Sequence, residues 1–339
     1  MTYFDDIRSA AFIEDLPWNS LDGAHILVTG ATGLICSSLV EVLMEHNHGN
    51  YHVYASGRNQ AKARSLFGRF YNDPCFHFLQ FDVIQPLIID IRFDVIIYGA
   101  GVASPNLYLT DPVSVMKSNY SGVDNLLSYG IRHQLKTFLY ISSSEVYGEG
   151  DGRIFTEDYY GYVDSLKLRS CYPSVKRATE SLCIAYGHQY EIDVRIARPC
   201  HIYGPYFNDY DNRAYAQFIG NVLEGKDIVL KSSGKQLRSW CYVVDCALAL
   251  LYILLKGKKW SAYNIADDNS IITIRQFAEA IAEVSGKNLK FELPDNNEEG
   301  HPASHNMVLS TDKLKSLGWF APGTLKNKLL HTIERRRCI

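Results

Sequence analysis

The eight cysteines of this chain form no Cys-x-x-Cys pair and have no histidine pairs beside them at zinc-ligand spacing, so neither a structural metal nor a secreted disulfide framework is expected. A reducing, cytoplasmic setting fits that usage best. Charge of one sign is equally scarce: the net charge is -3 over 339 residues with no long like-charge run, which leaves no nucleic-acid footprint and no acidic tail. The short basic Arg335-Arg336-Arg337 reads as a solvated helix end. Long apolar runs are missing too. The longest, Val243 to Leu255, contains Asp245 and is too short to span a bilayer, so no membrane partner is expected. The N-terminus carries acids where a signal peptide carries lysines, and residues 1–22 read as a short helical extension. Repeats and low-complexity tracts are absent. What remains, 47% apolar and 21% charged, is the composition of a globular enzyme with one large core or two merged ones.

From His25 onward, short β-branched runs alternate with helical stretches, the mark of a parallel sheet with crossover helices. Strands are expected at 25–29, 51–56, 76–80, 94–98, 137–141 and 192–198, and helices at 33–47, 59–71, 112–132 and 172–190. That is an α/β, doubly wound parallel Rossmann sheet over residues 23–204. After Gly204-Pro205 the pattern loosens into a helix at 212–223, a strand near 228–231, a helix at 243–256, a strand at 261–265, a helix at 273–285 and a C-terminal helical segment. Residues 205–339 are read as a smaller substrate lobe, with segments near 236–270 returning to the large sheet.

The first strand runs into Thr29-Gly30-Ala31-Thr32-Gly33. Gly30 permits a tight reversal and Gly33 lets backbone approach a pyrophosphate at the start of the next helix. The third glycine of this fingerprint falls at Cys36. The second strand ends in Ser56-Gly57-Arg58-Asn59, without the acid that grips the ribose 2′-hydroxyl of NAD; Arg58 either pairs with the extra phosphate of NADP or lies along the adenine. The residues leave that choice open. Asp82 after the third strand is placed to accept the adenine amino group, and Gly99-Ala100-Gly101 supplies small residues where backbone passes the cofactor.

An alcohol gives up hydride only if its proton leaves as well, which calls for a base brought toward neutrality near the carbinol oxygen. Tyr172 is the expected base, with the Lys176 ammonium one turn away lowering its pKa and holding the nicotinamide ribose, and Ser143 hydrogen-bonding the same oxygen. A Tyr-x-x-x-Lys pair is cheap in a chain with 23 tyrosines, and a second one, Tyr252 and Lys256, lies in a run that reads as a packed helix. The ordered set of glycine turn, serine cluster and pair is what carries meaning. A non-catalytic sensor of NAD(P) is the reading to prefer were Tyr172, Lys176 or Ser143 missing; all three are present.

These parts resemble the extended short-chain dehydrogenase/reductase family that remodels nucleotide sugars, and the resemblance runs through nearly the whole chain. Residues 103–108, 143–148, 157–163, 169–172 and 233–238 are most similar to its UDP-glucuronate decarboxylase branch. The resemblance implies an NAD reduced and reoxidised within one turnover, with Thr32, Leu34, Ile35, Asn59, Val83, Asn119 and Pro199 among its contacts. It also implies a nucleotide-diphosphate sugar held by Ser104, Ser144, His201, Arg213 and Arg238, with Glu145 positioning the sugar or a proton-carrying water. His201 stands where the branch has an amide, and 301–310 (HPASHNMVLS) lacks its arginines. Oxidation at sugar C4 is common to three outcomes. A 4,6-dehydratase has an aspartate where this chain has Ser144; decarboxylation needs no such acid; and a 4-epimerase needs only room for the keto sugar to turn. A homodimer through helices 112–132 and 172–190 follows by analogy.

Overall fold

The computed structural model describes residues 1–208, 211–292 and 306–339. In chain order the elements are α1 (Tyr3–Ala11), β1 (His25–Thr29), α2 (Leu34–His46), β2 (His52–Gly57), α3 (Gln60–Phe67), β3 (Phe76–Gln80), β4 (Val95–Tyr98), α4 (Leu107–Thr110), α5 (Pro112–Arg132), β5 (Thr137–Ile141), α6 (Cys171–Tyr190) and β6 (Asp193–Pro199). They continue with β7 (His201–Tyr203), α7 (Ala214–Leu223), β8 (Ile228–Leu230), β9 (Leu237–Tyr242), α8 (Val243–Lys256), β10 (Ser261–Ile265), β11 (Ile271–Thr273), α9 (Ile274–Ser285), β12 (Leu289–Phe291), α10 (Asp312–Lys315) and α11 (Leu325–Arg337).

Seven strands form one sheet in the order β10-β6-β5-β4-β1-β2-β3, every neighbouring pair parallel. Parallel strands need both faces covered, and the alternation within β1 shows it: Ile26 and Val28 point into a core shared with α2 and α8, and Leu27 into the one beneath α5. The chain winds outward one way through β2 and β3, then returns past β1 to β4. The strand order therefore reverses between β1 and β4, and the crevice at their carboxyl ends is the place a doubly wound sheet offers a ligand.

The six strands expected before residue 200 and the helices between them form within one or two residues of their expected bounds, except the helix at 59–71, which stops at Phe67 and passes into a single 3-10 turn. Segment 261–265 returns to the large sheet beside β6. Four strands went unread. β7, β9 and β11 make a small second sheet, and β12 pairs with β8. At the N-terminus, Thr2 and Asp5 close a capping box on α1, and Tyr3, Ile7, Ala10 and Ala11 are buried against the main body. The Tyr3 hydroxyl donates to Glu41 on α2 at 2.6 Å. On the other side, Lys328 of α11 reaches Asp245 of α8 at 2.7 Å and Asp267 at 3.1 Å, all three buried.

Candidate active site

A cleft of about 1030 Å³ opens over the carboxyl ends of the strands and runs from the β1–α2 turn to the small sheet. Gly30 sits at φ +65°, and a Cβ there would lie 2.6 Å from the Gly99 carbonyl oxygen, so the switch point closes only on glycine. Cys36 explains the missing third glycine. Its sulfur lies 2.2 Å from where a Cβ on Gly99 would be, so the space spared at 99 is filled from 36. Gly33 caps α2 with no side-chain hydrogen bond, leaving the first amides of a 13-residue helix turned to the cleft floor. Lysines and arginines outnumber carboxylates along the lining. A glycine cradle, uncapped helix amides and a cationic lining fit a dinucleotide diphosphate.

Of the residues expected at the site, Thr32, Leu34, Ile35, Arg58, Asp82, Val83, Gly99, Ala100, Gly101, Ser104, Ser143, Ser144, Glu145, Tyr172, Lys176, Pro199, His201, Arg213 and Arg238 line this cleft with the two turn glycines. Two do not. Asn59 caps α3, its side-chain oxygen accepting the Lys62 N–H at 2.9 Å. Asn119 is fully buried behind Gly101, its amide donating to Val115 O at 2.8 Å and its oxygen 2.1 Å from where a Gly101 Cβ would stand. It shapes the floor without lining it. Of the 301–310 stretch, residues 301–305 lie outside the described residues, and Met307 lines the cleft, where its sulfur accepts from the Ser144 hydroxyl at 3.3 Å. The second pair is structural, as expected: Tyr252 and Lys256 both bind Asp15, at 3.1 and 2.7 Å.

Tyr172 faces the cleft from the first turn of α6, buried, its ring stacked on Tyr108 at 4.5 Å. Ser143 and Tyr108 stand beside its phenol, and each pulls its pKa down. The expected lowering of its pKa is not what the protein does by itself. Burial pushes it up to about 12, the Glu145 carboxylate adds to the rise, and the polar influence of Ser143 and Tyr108 with the nearby Arg213 charge only partly offsets it. Lys176 is buried as well, donates to Ile141 O at 2.8 Å with its nitrogen 5.7 Å from the Tyr172 ring centre, and is pushed down to about 7 by desolvation against the pull of Glu180. Burial is the effect that spacing along a helix does not reveal.

Two groups at this end carried no expectation. Arg169 clamps Glu145 through two bonds, at 2.8 and 2.9 Å, and lies over Tyr108 at 4.8 Å, so a guanidinium, two aromatic rings and a carboxylate form one stack around the base. Glu180 and Arg198 form the other, a buried pair at 2.7 Å in which Glu180 also accepts from Ser142 at 2.6 Å, fixing the strand end that carries Ser143. Among the cations, Arg213 is held by Asp211 and reaches the Tyr215 hydroxyl at 3.1 Å. Arg238 donates to Leu237 O at 3.0 Å. His201 is held neutral, its pKa pushed down to about 3 by burial and the charge of Arg238, and its Nδ1 is without a hydrogen-bond partner among the described residues.

Residues 26–266 match the model of the NAD dependent epimerase/dehydratase family. The chain belongs to that family. Over 295 residues, 87% of this chain and 83% of the relative, the sequence is 33% identical to UDP-glucuronic acid decarboxylase 6 of Arabidopsis thaliana. Among solved structures, a UDP-glucuronic acid 4-epimerase from Bacillus cereus superposes with a TM-score of 0.78 at 23% identity, covering 93% of this chain and 99% of that one. A dTDP-glucose 4,6-dehydratase from Streptomyces venezuelae superposes at 0.79 and 22%, over 92% and 97%. At those identities the two structures speak for the shared fold. Family membership makes the chain an NAD-dependent enzyme, and the glycine turn, the serine cluster after β5 and the Tyr-x-x-x-Lys of α6 all line the one cleft.

Proposed function

We propose that this protein is a nucleotide-sugar enzyme of the UDP-glucuronate decarboxylase type, working through a 4-keto sugar. Arg213 and Arg238, two of the residues that the 205–339 segment contributes to the cleft lining, would hold the diphosphate, and residues 23–204 the dinucleotide. A nicotinamide held there would supply the acceptor for the sugar C4 hydride and its return within the same turnover. The chain's own residues handle the protons. Tyr172 accepts the C4 hydroxyl proton while Ser143 holds the same oxygen; the resulting ketone stands β to the C5 carboxylate, so loss of CO2 leaves an enolate whose oxygen is stabilised by the same two hydroxyls. Lys176 orients the ribose.

The observation that carries this over dehydration is the state of residues 144 and 145. Ser144 is a hydroxyl bonded to Met307 at the position where dehydration calls for an acid, and Glu145 is occupied in an ion pair with Arg169. Decarboxylation asks for no acid. Mass spectrometry of the products from UDP-glucuronate tests the reading: a UDP-pentose and CO2 are expected, whereas UDP-galacturonate with no CO2 would assign the site to 4-epimerisation.

The protein is further proposed to work as a cytoplasmic homodimer. Val113, Met116 and Tyr120 form an exposed apolar stripe on α5, which packs beside α6, and no helix among the described residues is long and apolar enough to cross a membrane. Light scattering on the purified protein separates dimer from monomer.

A further inference from the structure

The adenosine end of the cleft is built unlike a site selective for NAD. Where such strands end in a carboxylate that accepts from the ribose 2′-hydroxyl, β2 ends in Ser56-Gly57, followed by Arg58. Sterics do not impose the glycine, since the nearest atom a Cβ at 57 would meet is Thr32 Oγ1 at 3.4 Å, an ordinary contact. The carboxylates lining the cleft are Asp82, Glu145, Glu149 and Asp164, and of these only Asp82 follows one of the first four strands, where it accepts the Ile84 N–H at 3.3 Å. Two cations, Arg58 and Lys62, line this end. A second observation points at a ligand: Ser56 is 1% exposed, its hydroxyl has no hydrogen-bond partner among the described residues, and it borders the cleft. Leaving a buried hydroxyl unmatched costs free energy that a bound acceptor oxygen would recover.

We propose that Ser56, Arg58 and Lys62 form a subsite for a ribose 2′-phosphate, so that the protein binds NADP(H) at least as well as NAD(H). The phosphate brings strong acceptor oxygens to a hydroxyl and two cations, and meets no carboxylate on β2 to repel it. The positive end of α3, which begins at Gln60, adds to the attraction. This inference rests on the dinucleotide cleft and is independent of which sugar the enzyme takes.

Calorimetric titration of the full chain with 5′-AMP and adenosine 2′,5′-bisphosphate, which differ only in the 2′-phosphate, then with NAD+ and NADP+, tests it. The 2′-phosphate is expected to tighten binding within the first pair by about tenfold or more, with NADP+ no weaker than NAD+. Replacing both cations (Arg58→Gln with Lys62→Gln) is expected to weaken NADP+ at least about tenfold more than NAD+, and Gly57→Asp to reverse the preference. Equal affinity for 5′-AMP and adenosine 2′,5′-bisphosphate, or NAD+ tighter than NADP+ in the unaltered protein, would overturn the subsite while leaving the dinucleotide site standing. Failure of every one of these ligands to bind would sink both.

Discussion

Replacing Tyr172 by Phe removes one oxygen and almost nothing else. The ring keeps its stack on Tyr108 and its place on α6, so the loss is confined to the hydroxyl's polar contacts with Ser143 and Tyr108. Even two full neutral hydrogen bonds would be worth only about 1–3 kcal/mol net, which bounds the destabilisation from above. Unfolding entropy near about 2.1 cal/mol/K per residue makes each kcal/mol about 1.4 °C for a chain of this length, so the melting temperature should fall by only a few degrees. Catalysis should suffer far more. A positioned base contributes about 10²–10⁴ in rate, roughly 3–5 kcal/mol of barrier. The assay pairs product formation from UDP-glucuronate with a melting curve and a dinucleotide titration on the same preparation. Turnover within about threefold of the unaltered enzyme, with the fold intact, would refute the assignment of Tyr172 as the base.

Two further outcomes follow from the charges around the site. The Glu145 charge adds to the rise of the Tyr172 pKa, so Glu145→Gln should lower that pKa and move the acid limb of the kcat/KM profile to lower pH; a limb that stays put or rises contradicts the electrostatic account. Lys328→Ala strands two buried carboxylates, Asp245 and Asp267, and should cost about 3–5 kcal/mol, or about 4–7 °C in melting temperature, with a smaller loss at pH 5 than at pH 8 because the Asp245 carboxyl, pushed up to about 7 by burial, is protonated at the lower pH. An unchanged melting curve would show that α11 is not anchored there.

The large sheet was legible because each of its strands is a short apolar run bounded by a turn, and period and length decide such cases. β9 was not: Leu237–Tyr242 passes directly into the apolar helix α8, so no break in polarity marks where strand becomes helix. β7 follows β6 after one residue, Cys200, and is three residues long, too short to show alternation. At the site, glycines and catalytic side chains could be placed because their chemistry demands particular residue types at particular spacings. Asn119 could not, since a polar residue on α5 reads the same whether it faces the cleft or the back of Gly101. The Arg169–Glu145 clamp joins residues 24 apart, and no local pattern pairs them. The Tyr172 pKa depends on desolvation by the whole fold, a property of three-dimensional packing.

UDP-glucuronate carrying deuterium at C4 offers the most direct measurement. If the cleft removes hydride from C4 and restores it to the same carbon within one turnover, the decarboxylated product retains deuterium at C4 while C5 takes up a solvent proton in place of the lost carboxylate. Product formed with its C4 label washed out to solvent would contradict the account at its centre.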